Sequence, residues 1–162
     1  NNATGAMFAK KQPMRCIEDI CVFYRKAPTY NPQGLVELAR PRFNAARPEG
    51  VYQAYRGEGS LQRFTNYPKH LLEFANEATS NKNRLHPTQK PVEVITKMIL
   101  DSSDPGAVVL DTFMGSGTTA VACIRTGRNF IGFEQNERYH GLAQERIAAE
   151  LDNLWDEETP AS

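Results

Sequence analysis

The segment that most constrains how this chain can fold is residues 108–119, VVLDTFMGSGTT, where an apolar run leads directly into a glycine-rich turn. The run at 108–110 has the apolar, mostly β-branched character of a short buried parallel strand, and Asp111 follows at its carboxyl end. Gly115 and Gly117 let the backbone approach a ligand where a Cβ would collide. The pattern therefore predicts a nucleotide-cofactor cradle at the end of a strand.

The residues beyond the turn extend this pattern to a strand–helix–strand unit. Residues 118–126 predict a helix that ends at Gly127, because glycine favours the left-handed conformation that closes helices. Residues 129–134, NFIGFE, predict the next strand and place Glu134 roughly 20 positions beyond the glycines, where a carboxylate meets ribose hydroxyls in βαβ folds. Capping of the following helix is the alternative role for Glu134, and short glycine turns also occur in ordinary loops.

Apolar spacing predicts three further elements. Residues 19–25, DICVFYR, predict a buried strand, and the prolines at 27–33 predict a turn after it. A helix is predicted to begin at Pro91, and its apolar face consists of Val92, Ile95, Met98 and Ile99. Asn136 is predicted to cap a final helix. The core positions of that helix are Tyr139, Ala143, Ile147 and Leu151, whereas His140 and Arg146 are expected to face solvent.

Charge is distributed unevenly although the net charge of the chain is zero. Residues 1–90 hold 14 Lys and Arg against seven Asp and Glu, a net charge of +7, whereas residues 91–162 carry −7. A basic half can face nucleic acid or can simply keep the protein in solution. Residues 34–67 interleave arginines with aromatic rings, a mixture suited to phosphates and bases, although a loop region with a small aromatic core has the same composition.

The composition also bears on location and metal chemistry. No apolar run approaches the roughly 20 residues that span a bilayer, and no signal-peptide pattern is present. The three cysteines are odd in number and form no CxxC pair, so neither a disulfide framework nor a metal site is indicated. Cys123 is predicted to be a small core residue. These features predict a cytoplasmic protein with no membrane partner.

Four blocks of sequence resemble one enzyme family. HPTQKP at 86–91, LDTFMGSGTT at 110–119 and GFEQNERY at 132–139 occur in the order found in amino-group DNA methyltransferases, which methylate adenine N6 or cytosine N4 with S-adenosylmethionine. Residues 10–33 resemble the segment that precedes the target-recognition region in these enzymes. The resemblance extends from about residue 5 to residue 151 and is to the arrangement in which the catalytic half comes before the cofactor half.

The resemblance implies a fold and a domain organisation. The fold would be the α/β, Rossmann-like fold of S-adenosylmethionine-dependent methyltransferases, incomplete here because the upstream strands are missing. Residues 1–33 would end the catalytic half, and residues 34–80 would be the target-recognition insert. Residues 81–155 would then form the S-adenosylmethionine-binding subdomain, with 156–162 as a tail.

The resemblance also implies site residues. Asp111 would accept a hydrogen bond from the methionine amino group of the cofactor, Glu134 would bind the ribose hydroxyls, and Lys90 would face the cofactor carboxylate. The full expected cofactor set is Thr88, Lys90, Asp111, Phe113, Gly115, Gly117, Thr118, Glu134 and Asn136. The expected DNA-binding set is Arg40, Arg42, Arg47, Arg56, Arg63 and Lys69. His86 is expected to be structural, since histidines in such positions are more often hydrogen-bonded than catalytic.

One family motif is absent from this chain. In these enzymes a tetrapeptide of the form Asp/Asn/Ser-Pro-Pro-Tyr/Phe holds the flipped base and accepts hydrogen bonds from its amino group. Similar letters at 30–33 and 66–68 lack the double proline followed by an aromatic ring. No catalytic residue is therefore assigned in this chain, which is expected to be the C-terminal portion of a longer enzyme. A non-catalytic remnant that binds DNA or cofactor is the alternative.

The expected function is therefore site-specific methylation of DNA, with adenine N6 favoured over cytosine N4. An NAD-type oxidoreductase is a second class, but it requires GxGxxG where residues 115–120 read GSGTTA. The expected partners are double-stranded DNA and either the upstream half of the enzyme or a second copy, which would cover the open edge of the strand that ends at Asp111. The chain alone is expected not to methylate DNA.

Overall fold

The computed structural model describes residues 17–45, 59–74 and 89–158. The elements, in chain order, are β1 (Val36–Asn44), β2 (Ser60–Thr65), α1 (Val92–Ser102), β3 (Val108–Asp111), α2 (Thr118–Thr126), β4 (Asn129–Gly132) and α3 (Glu137–Glu158). The strands form two separate two-stranded sheets, β1 with β2 and β3 with β4. The predicted site residues Arg47, Arg56 and Thr88 lie outside the described residues.

The predicted strand–turn–helix–strand unit is present. Strands β3 and β4 pair in parallel, from Val108 opposite Asn129 to Asp111 opposite Gly132, and α2 connects them. Helix α2 ends where predicted, since Gly127 has a φ of 67° and its N–H bonds the carbonyls at the end of the helix. Strand β4 is shorter than predicted and ends two residues before Glu134. The Rossmann-like α/β class is therefore observed in this part of the chain.

The core lies between α1 and α2. Its buried members are Val92, Ile99, Val121, Ala122 and Cys123, and Ile95, Val109 and Phe130 pack against them. The predicted apolar face of α1 is thus confirmed except at Met98, which is exposed. Cys123 is a core residue, as predicted, and burial raises the pKa of its thiol.

An ion pair joins α2 to α3. The Arg125 guanidinium donates to both carboxylate oxygens of Glu150, from Nε at 2.5 Å and from Nη2 at 2.9 Å. This hydrogen bond is the main cause that lowers the pKa of Glu150, and the positive charge of Arg146 adds to it. Helix α3 also contributes Ala143, which is fully buried.

The insert contains more regular structure than its composition indicated. Strands β1 and β2 form an antiparallel ribbon in which Arg42 pairs with Gln62 and Phe43 with Leu61. The register shifts between Glu37 and Arg42, as at a β-bulge. Pairing across the ribbon supplies the backbone hydrogen bonds here, so a strict alternation of apolar residues is not needed to specify the strands.

The predicted strand at 19–25 is wrong. Residues 17–24 have no regular structure, and their apolar side chains are exposed, with Phe23 at 91% of its full exposure. A strand is stable only when a neighbour bonds its backbone, and within the described ranges this segment pairs with no other strand. Asn31 instead anchors the segment to the end of α1, through its N–H to the Asp101 carbonyl at 2.7 Å.

Strand β3 has an unpaired edge and exposed apolar side chains. Among the described residues it pairs with β4 alone. Val108 and Leu110 are 62% and 61% exposed although both occupy a strand of apolar composition. Open edges of this kind favour pairing with a further strand.

Gly117 generates a prediction about the stability of the fold. Its φ is 79°, and a Cβ there would lie 3.1 Å from the Cβ of Ala143. Gly117→Ala should therefore lower the free energy of unfolding by about 1–3 kcal/mol, through strain and overpacking. Denaturant titration followed by circular dichroism measures this change.

Gly141→Ala is the matched control on α3. A Cβ at Gly141 would meet nothing within 4 Å among the described residues, and alanine is the better helix former. This variant should leave the free energy of unfolding unchanged or raise it by up to about 1 kcal/mol. Equal losses in both variants would contradict the assigned packing of Gly117 on α3.

Candidate functional site

The glycine-rich turn lies between the carboxyl end of β3 and the start of α2. Gly115 and Gly117 both have positive φ, at 54° and 79°, which only glycine adopts without strain. The Gly117 N–H donates to the Met114 carbonyl at 2.9 Å, which closes the turn. Carboxyl ends of parallel strands are where α/β proteins place ligands, so the turn occupies the expected position for a site.

Asp111 is held by the residues of the turn. One carboxylate oxygen accepts the Phe113 N–H at 3.0 Å, and the other accepts the Thr119 hydroxyl at 2.5 Å. A carboxylate oxygen can accept more than one hydrogen bond, so the group is fixed in place and keeps acceptor capacity for a ligand. Sequence reasoning missed Thr119, although its position as the second residue of α2 could have indicated the contact.

Glu134 joins the ends of both strands. Its Oε2 accepts the Gly115 N–H at 3.0 Å, and its Oε1 accepts the Asn136 N–H at 2.7 Å. Backbone bonds run parallel to this connection, since the Phe133 N–H donates to the Asp111 carbonyl at 2.9 Å. The structure thus brings Asp111, the glycines and Glu134 together, as the sequence predicted.

Asn136 caps α3, as predicted. Its side-chain oxygen accepts the N–H groups of Arg138 at 3.0 Å and Tyr139 at 3.3 Å. Glu134 bonds the backbone of the capping residue, so the alternative that Glu134 itself caps the helix is not what the structure shows. The side-chain oxygen of Asn136 thus bonds the first turn of the helix, and a cofactor role for this residue stays a prediction.

Two other predicted cofactor residues differ sharply in exposure. The Phe113 side chain is 90% exposed beside the turn, and Thr118 is buried as the first residue of α2. Gly117 packs against Ala143, so close helix packing already explains the glycine. Approach of its backbone to a ligand stays a prediction.

The HPTQKP block reaches the turn through Gln89. Its Oε1 accepts the Ser116 hydroxyl at 3.3 Å. Lys90, the predicted counter-ion, instead forms an ion pair with the carboxylate of Glu18, and both side chains are exposed. No sequence signal separated Gln89 from its neighbours, because the contact depends on how α1 sits against α2.

The prediction that Arg146 faces solvent is wrong. Its Nη1 donates to the Ser116 carbonyl at 3.3 Å and to the Thr118 hydroxyl at 3.1 Å. The period of α3 places Arg146 near the edge of its buried face, three residues after Ala143, and the long side chain extends from there to the turn.

Comparison with known proteins decides the family. The family model of N6/N4-type DNA methylases matches residues 6–145 of this chain. The chain belongs to the DNA amino-methyltransferase family. The resemblance of the sequence blocks is thereby confirmed, and the glycine-rich turn lies inside the matched region.

Two curated methyltransferases are similar to this chain over different lengths. The type II methyltransferase M.HpaI of Haemophilus parainfluenzae is 40% identical over 113 residues, which are 69% of this chain and 35% of that protein. The DNA adenine methyltransferase YhdJ of Escherichia coli K12 is 31% identical over 147 residues, 86% of this chain and 47% of that protein. The chain thus spans less than half the length of either relative.

A solved methyltransferase structure is also similar. The crystal structure of the M1.HpyAVI–SAM complex is 28% identical, covers 70% of this chain and 63% of its own, and superposes with a TM-score of 0.43.

Four of the predicted DNA-binding residues belong to the part of the chain that the structure describes, and they lie on the ribbon or after it. Arg40, Arg42, Arg63 and Lys69 are all exposed. Because Arg42 pairs with Gln62, the neighbouring Arg63 lies on the opposite face of the ribbon. The ribbon therefore carries positive charge on both faces.

The described residues contain neither a candidate metal site nor a candidate membrane span. No group of three or more His, Cys, Asp or Glu there could hold a metal ion. None of the helices in those same ranges is long and apolar enough to cross a membrane.

Proposed function

We propose that this chain is the cofactor-binding and target-recognition part of a site-specific DNA methyltransferase. The reaction transfers a methyl group from S-adenosylmethionine to an exocyclic amino group of a DNA base. The observation that carries the proposal is the pair of carboxylates, Asp111 and Glu134, fixed on either side of one glycine-rich turn. The choice of cofactor is supported by membership of the DNA methylase family, because the amino-group DNA methyltransferases that the sequence blocks resemble use S-adenosylmethionine.

The residues at the turn fit this cofactor. Asp111 offers carboxylate oxygens to the cationic methionine amino group, and Glu134 offers them to the ribose hydroxyls. The exposed ring of Phe113 supplies an apolar surface beside them. A cationic amine and a diol are the ligands that two fixed carboxylates would select, whereas a phosphate would be repelled by them.

The chemistry requires mainly orientation. The bound cofactor supplies a methyl group on a positively charged sulfur, which is electrophilic enough to react with a neutral amine. Methyl transfer is then an in-line displacement, so correct placement of the two reactants accounts for much of the rate. Asp111 and Glu134 would hold the cofactor at two separate points and so define its direction. In this proposal the base would be held by a loop with the family tetrapeptide, which is not among residues 1–162.

Adenine N6 is the proposed target. The support is the identity to YhdJ, named as a DNA adenine methyltransferase, which extends over 86% of this chain. The family as a whole includes both N6 and N4 enzymes. Identification of the methylated base in the product would therefore distinguish adenine N6 from cytosine N4 as the target.

The open edge of β3 is proposed to pair with a strand from the catalytic half of the enzyme or from a second copy. Val108, Leu110 and Ile131 are exposed apolar residues of the β3–β4 sheet. A further strand would bond the open backbone edge of β3, and the part of the enzyme that carries it would cover these side chains on the face of the sheet. Double-stranded DNA would then contact the basic ribbon.

The first prediction of this proposal concerns cofactor binding. Glu134→Ala should weaken the binding of S-adenosylhomocysteine by about 1–3 kcal/mol, because the ribose hydroxyls lose a charged acceptor that the turn holds in place. Isothermal titration calorimetry of the protein measures the change. Glu137→Ala, an exposed residue in the first turn of α3, is the control and should bind like the wild type. Preferential binding of NAD would contradict the proposed cofactor.

The second prediction concerns DNA. Arg42→Ala and Arg63→Ala should each weaken DNA binding and lower the slope of log affinity against log salt by about one, as expected for one lost phosphate contact. Fluorescence anisotropy at several salt concentrations measures both quantities. Arg138→Ala removes the same charge from α3 and should have little effect. Affinity that is independent of salt would show that the ribbon does not contact phosphates.

The third prediction concerns the sheet edge. Residues 1–162 alone should not methylate DNA, and addition of a catalytic half that carries the family tetrapeptide should restore transfer of a radiolabelled methyl group. Leu110→Lys should prevent this complementation. Association would bury the lysine charge against the catalytic half, and burial of an unpaired charge is unfavourable in free energy. The proposed pairing is wrong if the chain methylates DNA unaided.

A further inference from the structure

Ser116 is held from two directions at the centre of the glycine-rich turn. It is only 3% exposed. Its hydroxyl donates to the Gln89 side chain, from the segment before α1, at 3.3 Å. Its carbonyl accepts from Arg146, on α3, at 3.3 Å. Two elements outside the βαβ unit therefore meet at one residue of the turn.

The turn needs external support because of its two glycines. Glycine has more backbone freedom than any other residue, and Gly115 and Gly117 flank Ser116. The first half of the turn is fixed by Asp111 and Glu134, which accept the N–H groups of Phe113 and Gly115. The second half, at Ser116 and Thr118, is where the Arg146 guanidinium bonds.

We propose that Arg146 is a positioning residue of the cofactor site. It holds the Ser116 carbonyl and the Thr118 hydroxyl, and so keeps the Gly115 N–H facing Glu134 and the Thr119 hydroxyl facing Asp111. The proposal rests on the proposed function, since it assigns this geometry to cofactor binding. Arg146 acts through the turn, and loss of its guanidinium would leave both carboxylates present but incorrectly placed.

A purely structural role for Arg146 makes a different prediction. Helix α3 is already joined to α2 by the Arg125–Glu150 ion pair, so an arginine that merely secures α3 should be comparable to Arg125. The two arginines resemble each other in charge and in proximity to Glu150, whose pKa is lowered by the Arg125 hydrogen bond and also by the charge of Arg146. They differ in that Arg146 bonds the turn. Arg125→Met is therefore the matched control for Arg146→Met.

The experiment compares these variants in two measurements. Hydrogen–deuterium exchange of the peptide covering 111–118, without cofactor, reports the order of the turn. Titration with S-adenosylhomocysteine reports the site. We expect Arg146→Met to raise exchange in this peptide and to weaken binding, each by about tenfold, the effect of losing one or two charge-assisted hydrogen bonds. Arg125→Met should change either quantity by less than about twofold, even if it lowers the melting temperature equally.

Two further variants keep the proposal testable if Arg146→Met folds poorly. Arg146→Lys keeps the charge and a donor and should recover part of the binding. Thr118→Val keeps the approximate volume of the side chain but removes the hydroxyl that Arg146 bonds, and should raise exchange of the 111–118 peptide in the absence of cofactor by several-fold. Because a direct contact between Thr118 and the cofactor would not affect exchange without cofactor, recovery of binding by lysine together with this rise in exchange supports a role through the turn.

The outcomes separate this proposal from the proposed function. Equal effects of Arg125→Met and Arg146→Met on exchange and binding would overturn the positioning role and leave helix packing as the explanation. Unchanged exchange and binding in Arg146→Met and Thr118→Val would overturn it as well. Failure of the wild-type protein to bind S-adenosylhomocysteine would instead refute the cofactor assignment itself.

Discussion

The hydrogen bond from the Gly115 N–H to the Glu134 carboxylate is the interaction on which the site depends. It connects the loop after β3 to the loop after β4, and parallel pairing of those strands brings the two loops to one edge of the sheet. With its second oxygen Glu134 also accepts the N–H of the residue that caps α3. One carboxylate therefore fixes both the turn and the start of α3. Arg146, on α3, bonds the same turn at the Ser116 carbonyl.

The exposed apolar side chains show where burial would lower the free energy of the protein. Val108 and Leu110 are exposed on β3, and the apolar side chains of residues 17–24 are exposed as well. Burial of a side chain of this size is worth about 1.5–3 kcal/mol, so several of them together provide a strong drive for association. The same physical reason explains both the missing strand at 19–25 and the proposal that the catalytic half of the enzyme pairs with β3.

Much of the cofactor region could be predicted because its determinants are local. Gly127 ends α2, Asn136 caps α3 and the run at 108–110 forms β3, each through backbone preferences that act within a few residues. The ribbon was harder to predict, since β1 and β2 are specified by pairing between residues distant in sequence, such as Arg42 and Gln62, rather than by apolar alternation. The contacts of Gln89 and Arg146 with the turn could not be predicted, because each joins residues about 30 positions apart.

The sequence by itself determined the family, the βαβ unit and the two carboxylates that follow its strands. These features depend on residue types at short, regular spacings, and such local patterns determine backbone conformation within a few residues. Only the tertiary structure decided which polar side chains hold the turn. A lysine, a glutamine and an arginine were available near the predicted site, and the packing of α1 and α3 on α2 placed Gln89 and Arg146 on Ser116 while Lys90 met Glu18. A long polar side chain can contact many different partners. The arrangement of the helices decides which partner it contacts, and no local sequence pattern encodes that arrangement.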